Sequence, residues 1–251
     1  MKQTIKCLVA ALVATFAVVS ASAQVTTSSL SGRVVDVNGE AVIGAAVVAT
    51  HTPSGTVYGV ITNENGRYTI NGMRTGGPYT VDFSCLGFQT VTYTEVNLQL
   101  AETFQLNAEL KEDSEMLGEA MVIAAAASKF NAEKTGAATN ISSSQIEALP
   151  SVSRSITDAT RLSPYGGSGM SFAGADSRTA NFTVDGANFN NNFGLNAGLP
   201  GGGTPISIDA IEEMQVVISP YDVRQTNFIG GGVNAITKSG TNKFRGTAYV
   251  Y

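Results

Sequence analysis

The feature that most constrains this chain is a one-by-one alternation of apolar and polar residues, in short runs closed by turns. Tyr79, Val81 and Phe83 alternate with Thr80, Asp82 and Ser84, and Phe104, Leu106, Ala108 and Leu110 alternate with Gln105, Asn107 and Glu109. A repeat of two belongs to a strand with one buried and one wet face, and a helix cannot satisfy it. Further strand-like runs cover 29–35, 44–50, 57–62 and 67–70. Asp36-Val37-Asn38-Gly39 and Asn63-Glu64-Asn65-Gly66 lie between them, and Asn-Gly supplies the left-handed residues of a tight hairpin. Strands spaced by about ten residues with such turns predict a β-sandwich over residues 25–111.

Composition agrees. Charged residues make up 14% of the chain, well below the roughly one quarter of an ordinary soluble protein, while Gly, Ser, Thr and Asn abound. Many strands and turns follow, with few long solvated helices. Residues 1–23 have the pattern of a secretory signal peptide: Lys2 and Lys6, an apolar core over 7–19, then small residues up to cleavage between Ala23 and Gln24. The apolar core falls short of the about 20 residues a spanning helix needs. Removing Lys2 and Lys6 takes 15 basic residues to 13 against 20 acidic ones, a net charge of −7. That argues against binding nucleic acid through phosphates. It also leaves Cys85 as the single cysteine, so no disulfide forms within the mature chain; Cys85 reads as a small buried residue.

Near the other end stands Gly230-Gly231-Gly232-Val233-Asn234-Ala235-Ile236-Thr237-Lys238-Ser239-Gly240-Thr241-Asn242. Glycines let the backbone enter left-handed or crowded places; 233–237 reads as a short buried strand, 239–242 as a turn, and 244–251 as the start of another strand with Phe244, Gly246, Ala248 and Val250 on one face. This order of pieces resembles the end of the plug domain of TonB-dependent outer-membrane receptors, just before the first barrel strand. The preceding residues 208–225, IDAIEEMQVVISPYDVRQ, resemble the Oar-like branch of that family. In the first half, Gly32-Arg33-Val34, Gly39-Glu40-Ala41-Val42-Ile43-Gly44-Ala45 and Thr62-Asn63-Glu64-Asn65-Gly66-Arg67-Tyr68-Thr69-Ile70, followed by Tyr79-Thr80-Val81, resemble the carboxypeptidase regulatory-like domain. That resemblance implies a transthyretin-like sandwich and no peptidase. A zinc peptidase needs about three protein ligands and a base, whereas His51 is the only histidine and reads as a surface residue at a strand end.

The fold expected is therefore mainly β with some α: signal peptide at 1–23, sandwich at 25–111, linker at 112–130, an α/β plug at 131–242 and a first barrel strand at 243–251, the barrel itself being absent. In the linker, the resemblance implies a TonB box, a short apolar strand that the TonB C-terminal domain captures by strand addition, main-chain bonds giving affinity and alternate side chains filling pockets. Leu117, Glu119, Met121, Val122 and Ile123 are the residues concerned. Ala-Met-Val-Ile stands where family boxes carry consecutive valines, and the same stretch also reads as an Ala-rich helix or a plain linker.

Within 131–242, Ser142 and Gln145 form a capping box opening a helix over 143–148, ahead of Pro150. A second helix is predicted over 153–162, and 177–186 reads as a strand entering an Asp-Gly turn. The glycines of 165–169 lack the Gly-Lys-Ser/Thr step of a phosphate cradle. In a plug, 188–203 faces outward, with Asn188, Phe189, Asn191 and Phe193 placed to touch a ligand or to tuck against a barrel wall. A short helix over 208–211 feeds a strand over 213–219. Glu212, Asp222 and Arg224 are candidates for polar locks between plug and barrel, and read equally as solvated charges.

No paired acid–base constellation, metal cluster or cofactor motif stands out, so an enzyme is not expected. A transmembrane strand takes about 9–11 residues and a transport barrel many strands; this sequence supplies one, which reads as part of a longer receptor or as a periplasmic remnant. The resemblance implies the outer membrane, energy-coupled nutrient uptake, and TonB, the barrel and a surface lipoprotein as partners. The competing class is a stand-alone secreted sandwich module that binds carbohydrate or peptide.

Overall fold

The computed structural model describes residues 25–112, 121–124, 137–149, 151, 154–190, 205–218, 225, 229–244 and 246. The signal-peptide pattern with its Ala23–Gln24 cleavage point lies outside them, as do Leu117, Glu119, Asn191, Phe193, Asp222 and Arg224. The described part is mainly β with short helices, contains no closed barrel, and has no helix long and apolar enough to cross a membrane.

The first half is a sandwich of two sheets. Strands β1 (Ser28–Asp36) and β4 (Arg67–Met73) pair antiparallel, and β7 (Thr103–Gln105) and β8 (Ala108–Leu110) both pair parallel to β1. The facing sheet runs β3-β2-β5-β6-β9, made of β3 (Thr56–Ile61), β2 (Ala46–His51), β5 (Gly76–Ser84), β6 (Val91–Leu98) and β9 (Met121–Ala124). The predicted alternation on β5 holds: Tyr79, Val81 and Phe83 have no exposed surface, and Thr80, Asp82 and Ser84 between them are half-exposed. They meet Leu30, Val34 and Tyr68 of the other sheet in one core. Phe83 packs edge-on against Tyr68 at 5.6 Å and Tyr93 at 5.7 Å. Burying each such side chain contributes about 1.5–3 kcal/mol.

Both Asn-Gly turns form. Asp36 Oδ1 accepts from the Asn38 and Glu40 amides, and Asn63 Oδ1 from the Asn65 and Arg67 amides, while Gly39 and Gly66 take φ of +83° and +68°. The alternating run from Phe104 to Leu110 does not make one strand. It splits into β7 and β8 because the backbone at Leu106 is drawn onto Gly32, where an added Cβ would lie 1.9 Å from the Leu106 carbonyl oxygen. That carbonyl accepts from Tyr68 Oη at 2.7 Å, and the Leu106 amide donates to Ser31. The inward set survives the break, with Leu106, Ala108 and Leu110 buried.

The second half is an α/β unit with sheet order β10-β13-β14-β11-β12: β10 (Ala138–Ser142), β13 (Ile211–Val217), β14 (Gly232–Thr237), β11 (Asn181–Val184) and β12 (Ala187–Asn188). Helix α1 (Ser143–Ala148) starts at the predicted box, the Ser142 amide donating to Gln145 Oε1 at 3.0 Å. Helix α2 (Ile156–Thr160) is shorter than expected, opening after Ser155, whose Oγ accepts from the Thr157 amide. A 3-10 turn at Ile208–Ala210 feeds β13, which begins two residues before its expected start. Phe244 and Gly246 lie in no strand, and the rest of the predicted final strand lies outside the described residues.

Two of the three consecutive glycines are explained by crowding. Gly230 takes φ of +100° and a Cβ there would meet Ala175 at 2.5 Å; at Gly231 it would meet the Phe172 ring at 2.7 Å. Phe172 thereby lies over the core of Ile141, Ile146, Ile156, Phe182, Met214, Val216 and Val233.

A strand docked at a sheet edge and the seam between the two units

Strand β9 carries the described part of the predicted partner-binding segment. It lies parallel on β6 at the edge of the second sandwich sheet, with Val91, Thr92, Tyr93 and Thr94 opposite Met121, Val122, Ile123 and Ala124. Alternation decides what each side chain does. Val122 is 65% exposed, and Ile123 is half-buried against the sandwich core. The Gln89 amide donates to the Lys111 carbonyl and Phe88 bridges Glu112, so residue 112 stands just before the start of β6. Met121, opposite Val91, starts β9 from the same end.

The seam is built from three rows across the second sheet. Val184, Ala235 and Met214 stand abreast, as do Phe182, Val233 and Val216, and these two rows face the unit's own apolar core. Thr183, Asn234 and Gln215 stand abreast between them and point to the opposite face. Alternation on these strands predicts a wet row. Instead Thr183, Gln215, Asn234 and Glu213 are only 2–8% exposed. The sandwich's own backbone covers them. Gln215 Nε2 donates to the Leu100 carbonyl at 3.0 Å, the Leu100 amide donates to Glu213 Oε2 at 3.0 Å, and Asn234 Nδ2 donates to the Val25 carbonyl at 2.8 Å. Thr183 Oγ1 donates to Asn234 Oδ1 at 3.1 Å. Leu100 itself has no exposed surface. Buried polar groups are tolerated because each of these bonds replaces one to water. Sequence reading missed these residues. The signal that could have found them is three strands whose polar members carry amides, two hydroxyls and two carboxylates, with no lysine or arginine among them.

Beside the seam is a cleft of about 160 Å³ lined by Thr26, His51, Arg74, Glu212, Thr237 and Thr241 among others. His51 corrects the expectation of a surface residue. It closes β2 and is buried, with its ring 4.9 Å from that of Tyr79 and Nδ1 2.6 Å from Ser54 Oγ. Burial, and then the Arg74 charge, hold its pKa below the ordinary histidine value. Glu212 is half-buried, its carboxylate 3.1 Å from where a Gly76 Cβ would stand. Cys85 is half-buried against the sandwich core. Among the described residues no group of three or more His, Cys, Asp or Glu could hold a metal ion.

Of the predicted outer loop, Asn188 is exposed at the end of β12, and Phe189 packs into the second core with its ring 6.4 Å from Phe182. Asn190 fixes that bend: its Oδ1 accepts from the Phe182 amide at 2.6 Å and its Nδ2 donates to Asn181 Oδ1 at 2.6 Å. Asp185, in the Asp-Gly turn, accepts from the amide and hydroxyl of Thr237 at 2.9 and 2.7 Å.

Residues 29–111 match the carboxypeptidase regulatory-like domain family. Over 237 residues, 88% of this chain, the sequence is 26% identical to the TonB-dependent transporter Oar of Myxococcus xanthus. Both matches support the Oar-like TonB-dependent receptor resemblance read from the sequence, and that relative is a transporter, not an enzyme. The chain spans 21% of the relative's length. Among solved structures, catechol 1,2-dioxygenase from Pseudomonas arvilla C-1 is 12% identical over 38% of this chain and 55% of its own, with a TM-score of 0.30. The Bacillus anthracis TIE protein is 16% identical over 35% of this chain and 17% of its own, with a TM-score of 0.29. Likeness of that size carries no argument about function.

Proposed function

We propose that this chain is the N-terminal, receptor-side part of a TonB-dependent outer-membrane transporter. In this reading the sandwich is a periplasmic module, the segment 117–123 is the box gripped by the TonB C-terminal domain, and the α/β unit is the plug of a barrel through which a nutrient such as a glycan or peptide enters. No covalent bond is made or broken; work arrives as a pull on the box. Asn188, Phe189, Asn191 and Phe193 are proposed ligand contacts on the plug's outer loop. Glu212, Asp222 and Arg224 are proposed polar locks.

The observation that carries the reading is β9. A four-residue strand stands between the two units, attached by pairing along a sheet edge, with Val122 facing solvent. Main-chain pairing with alternating side chains is the recognition mode strand addition uses. The test is titration of a peptide covering residues 112–130 with the cognate TonB C-terminal domain by calorimetry. Saturable binding that is lost on exchanging Met121, Val122 and Ile123 for glycine is expected; no binding by the intact peptide overturns the reading.

A further inference from the structure

We infer that the β6 edge of the sandwich is a holding site for the box, and that it competes with TonB for the same strand. The inference rests on the box reading above and adds its regulation. Three observations carry it.

First, the parallel pairing from Val91↔Met121 to Thr94↔Ala124 commits one main-chain edge of β9 and turns Ile123 onto the sandwich core. A partner that needs Ile123 in its own pocket cannot have it while β9 is docked. Second, β6 needs a cover. Without β9 it would be a bare edge strand carrying Val91, Tyr93 and Val96, the kind of edge folded proteins conceal. Third, docking is local. Glu112 is bridged to Phe88 just before β6, and Met121 returns to Val91 at that same end. Eight residues of sequence separate these two anchors, a short tether that keeps the box at high effective concentration beside its edge. Four paired residues are nonetheless few, so release is frequent. When only a fraction of molecules has the box free, the apparent Kd for TonB rises by the inverse of that fraction.

The test uses the mature chain, residues 24–251, with Cys85→Ser to leave no native thiol and with Thr92→Cys and Val122→Cys. These two positions are direct Cα partners, within the reach of a disulfide, and neither side chain belongs to the buried core. The oxidised form pins β9 to β6; the reduced form leaves it held by strand pairing alone. Unchanged thermal melting between the two forms verifies that the sandwich stays folded. TonB affinity is expected to fall at least about 10-fold on oxidation and to return on reduction, and the reduced chain is expected to bind about 10-fold more weakly than the free 112–130 peptide. Equal binding by oxidised and reduced chains, with the peptide binding normally, overturns the holding site and leaves the box reading intact. Failure of the peptide itself to bind overturns the box reading and the holding site together.

Discussion

The two halves of this molecule use the same sheet geometry for opposite purposes. In the sandwich, alternation separates hydrocarbon from water: Tyr79, Val81 and Phe83 go in, and Thr80, Asp82 and Ser84 look out. In the second unit, β11, β13 and β14 alternate between hydrocarbon and a buried polar row, so hardly a residue on them is wet. A polar residue on a strand therefore marks a face that needs hydrogen bonds, which water or another backbone can supply. Here Leu100 and Val25 of the sandwich supply them.

The sharpest way to break the comparison is at the sandwich core. Phe83→Ala removes a fully buried ring touching both sheets, and a loss of about 3–5 kcal/mol is expected by urea denaturation. If the second unit keeps its far-ultraviolet and tryptic-resistance signatures while the sandwich melts, the two are separate folding units; if both melt at one midpoint, the polar seam couples them. The seam itself is tested next. Gln215→Ala strips the Leu100 carbonyl of its donor within a buried row, at an expected cost of about 1–3 kcal/mol. Gln215→Glu is expected to cost more, because a second carboxylate beside Glu213 cannot donate to that carbonyl. A Gln215→Ala variant as stable as the parent would mean that the row is merely covered and not held.

Much of this was legible beforehand, for a physical reason. Features set by neighbours in sequence came through: alternation on β5, the Asn-Gly turns at 38–39 and 65–66, and the box between Ser142 and Gln145. What failed was set from far away. The break between β7 and β8 depends on Gly32, some seventy positions earlier, and on the close approach of its backbone to Leu106. The burial of Glu213 and Gln215 depends on Leu100, more than a hundred positions away. Period-2 reading assigns a polar row to solvent because nothing local says otherwise. Likewise 117–123 reads as a strand, a helix or a plain linker, and the pairing of Met121–Ala124 with β6 is a tertiary fact. His51 went wrong for the same reason, since Tyr79, from another strand, packs on a residue whose sequence neighbours are those of a loop.

Two smaller measurements sharpen the contrast. Ser155→Ala removes the cap of α2, a short helix otherwise held by Ile156 and Ala159 in the core, and a loss of about 1 kcal/mol confined to the second unit is expected by hydrogen exchange. On the sandwich side, His51 has a depressed folded-state pKa. Its neutral form is the one that fits, so stability is full above the unfolded value near 6.5 and falls as pH drops from there through the lower folded value. Melting temperatures followed from pH 7.5 to 4.5 are expected to decline less in His51→Gln than in the parent. An identical decline would assign the acid sensitivity to carboxylates instead.

The row of Thr183, Gln215 and Asn234 has one more consequence, for what happens if the halves are pulled apart. Joints sealed with leucine and phenylalanine leave greasy scars when torn, and chains with such scars clump. Pulled apart, this joint uncovers amides, a hydroxyl and a carboxylate with Leu100 among them, and water re-wets those polar groups at once, so the separated halves stay dispersed and rejoin.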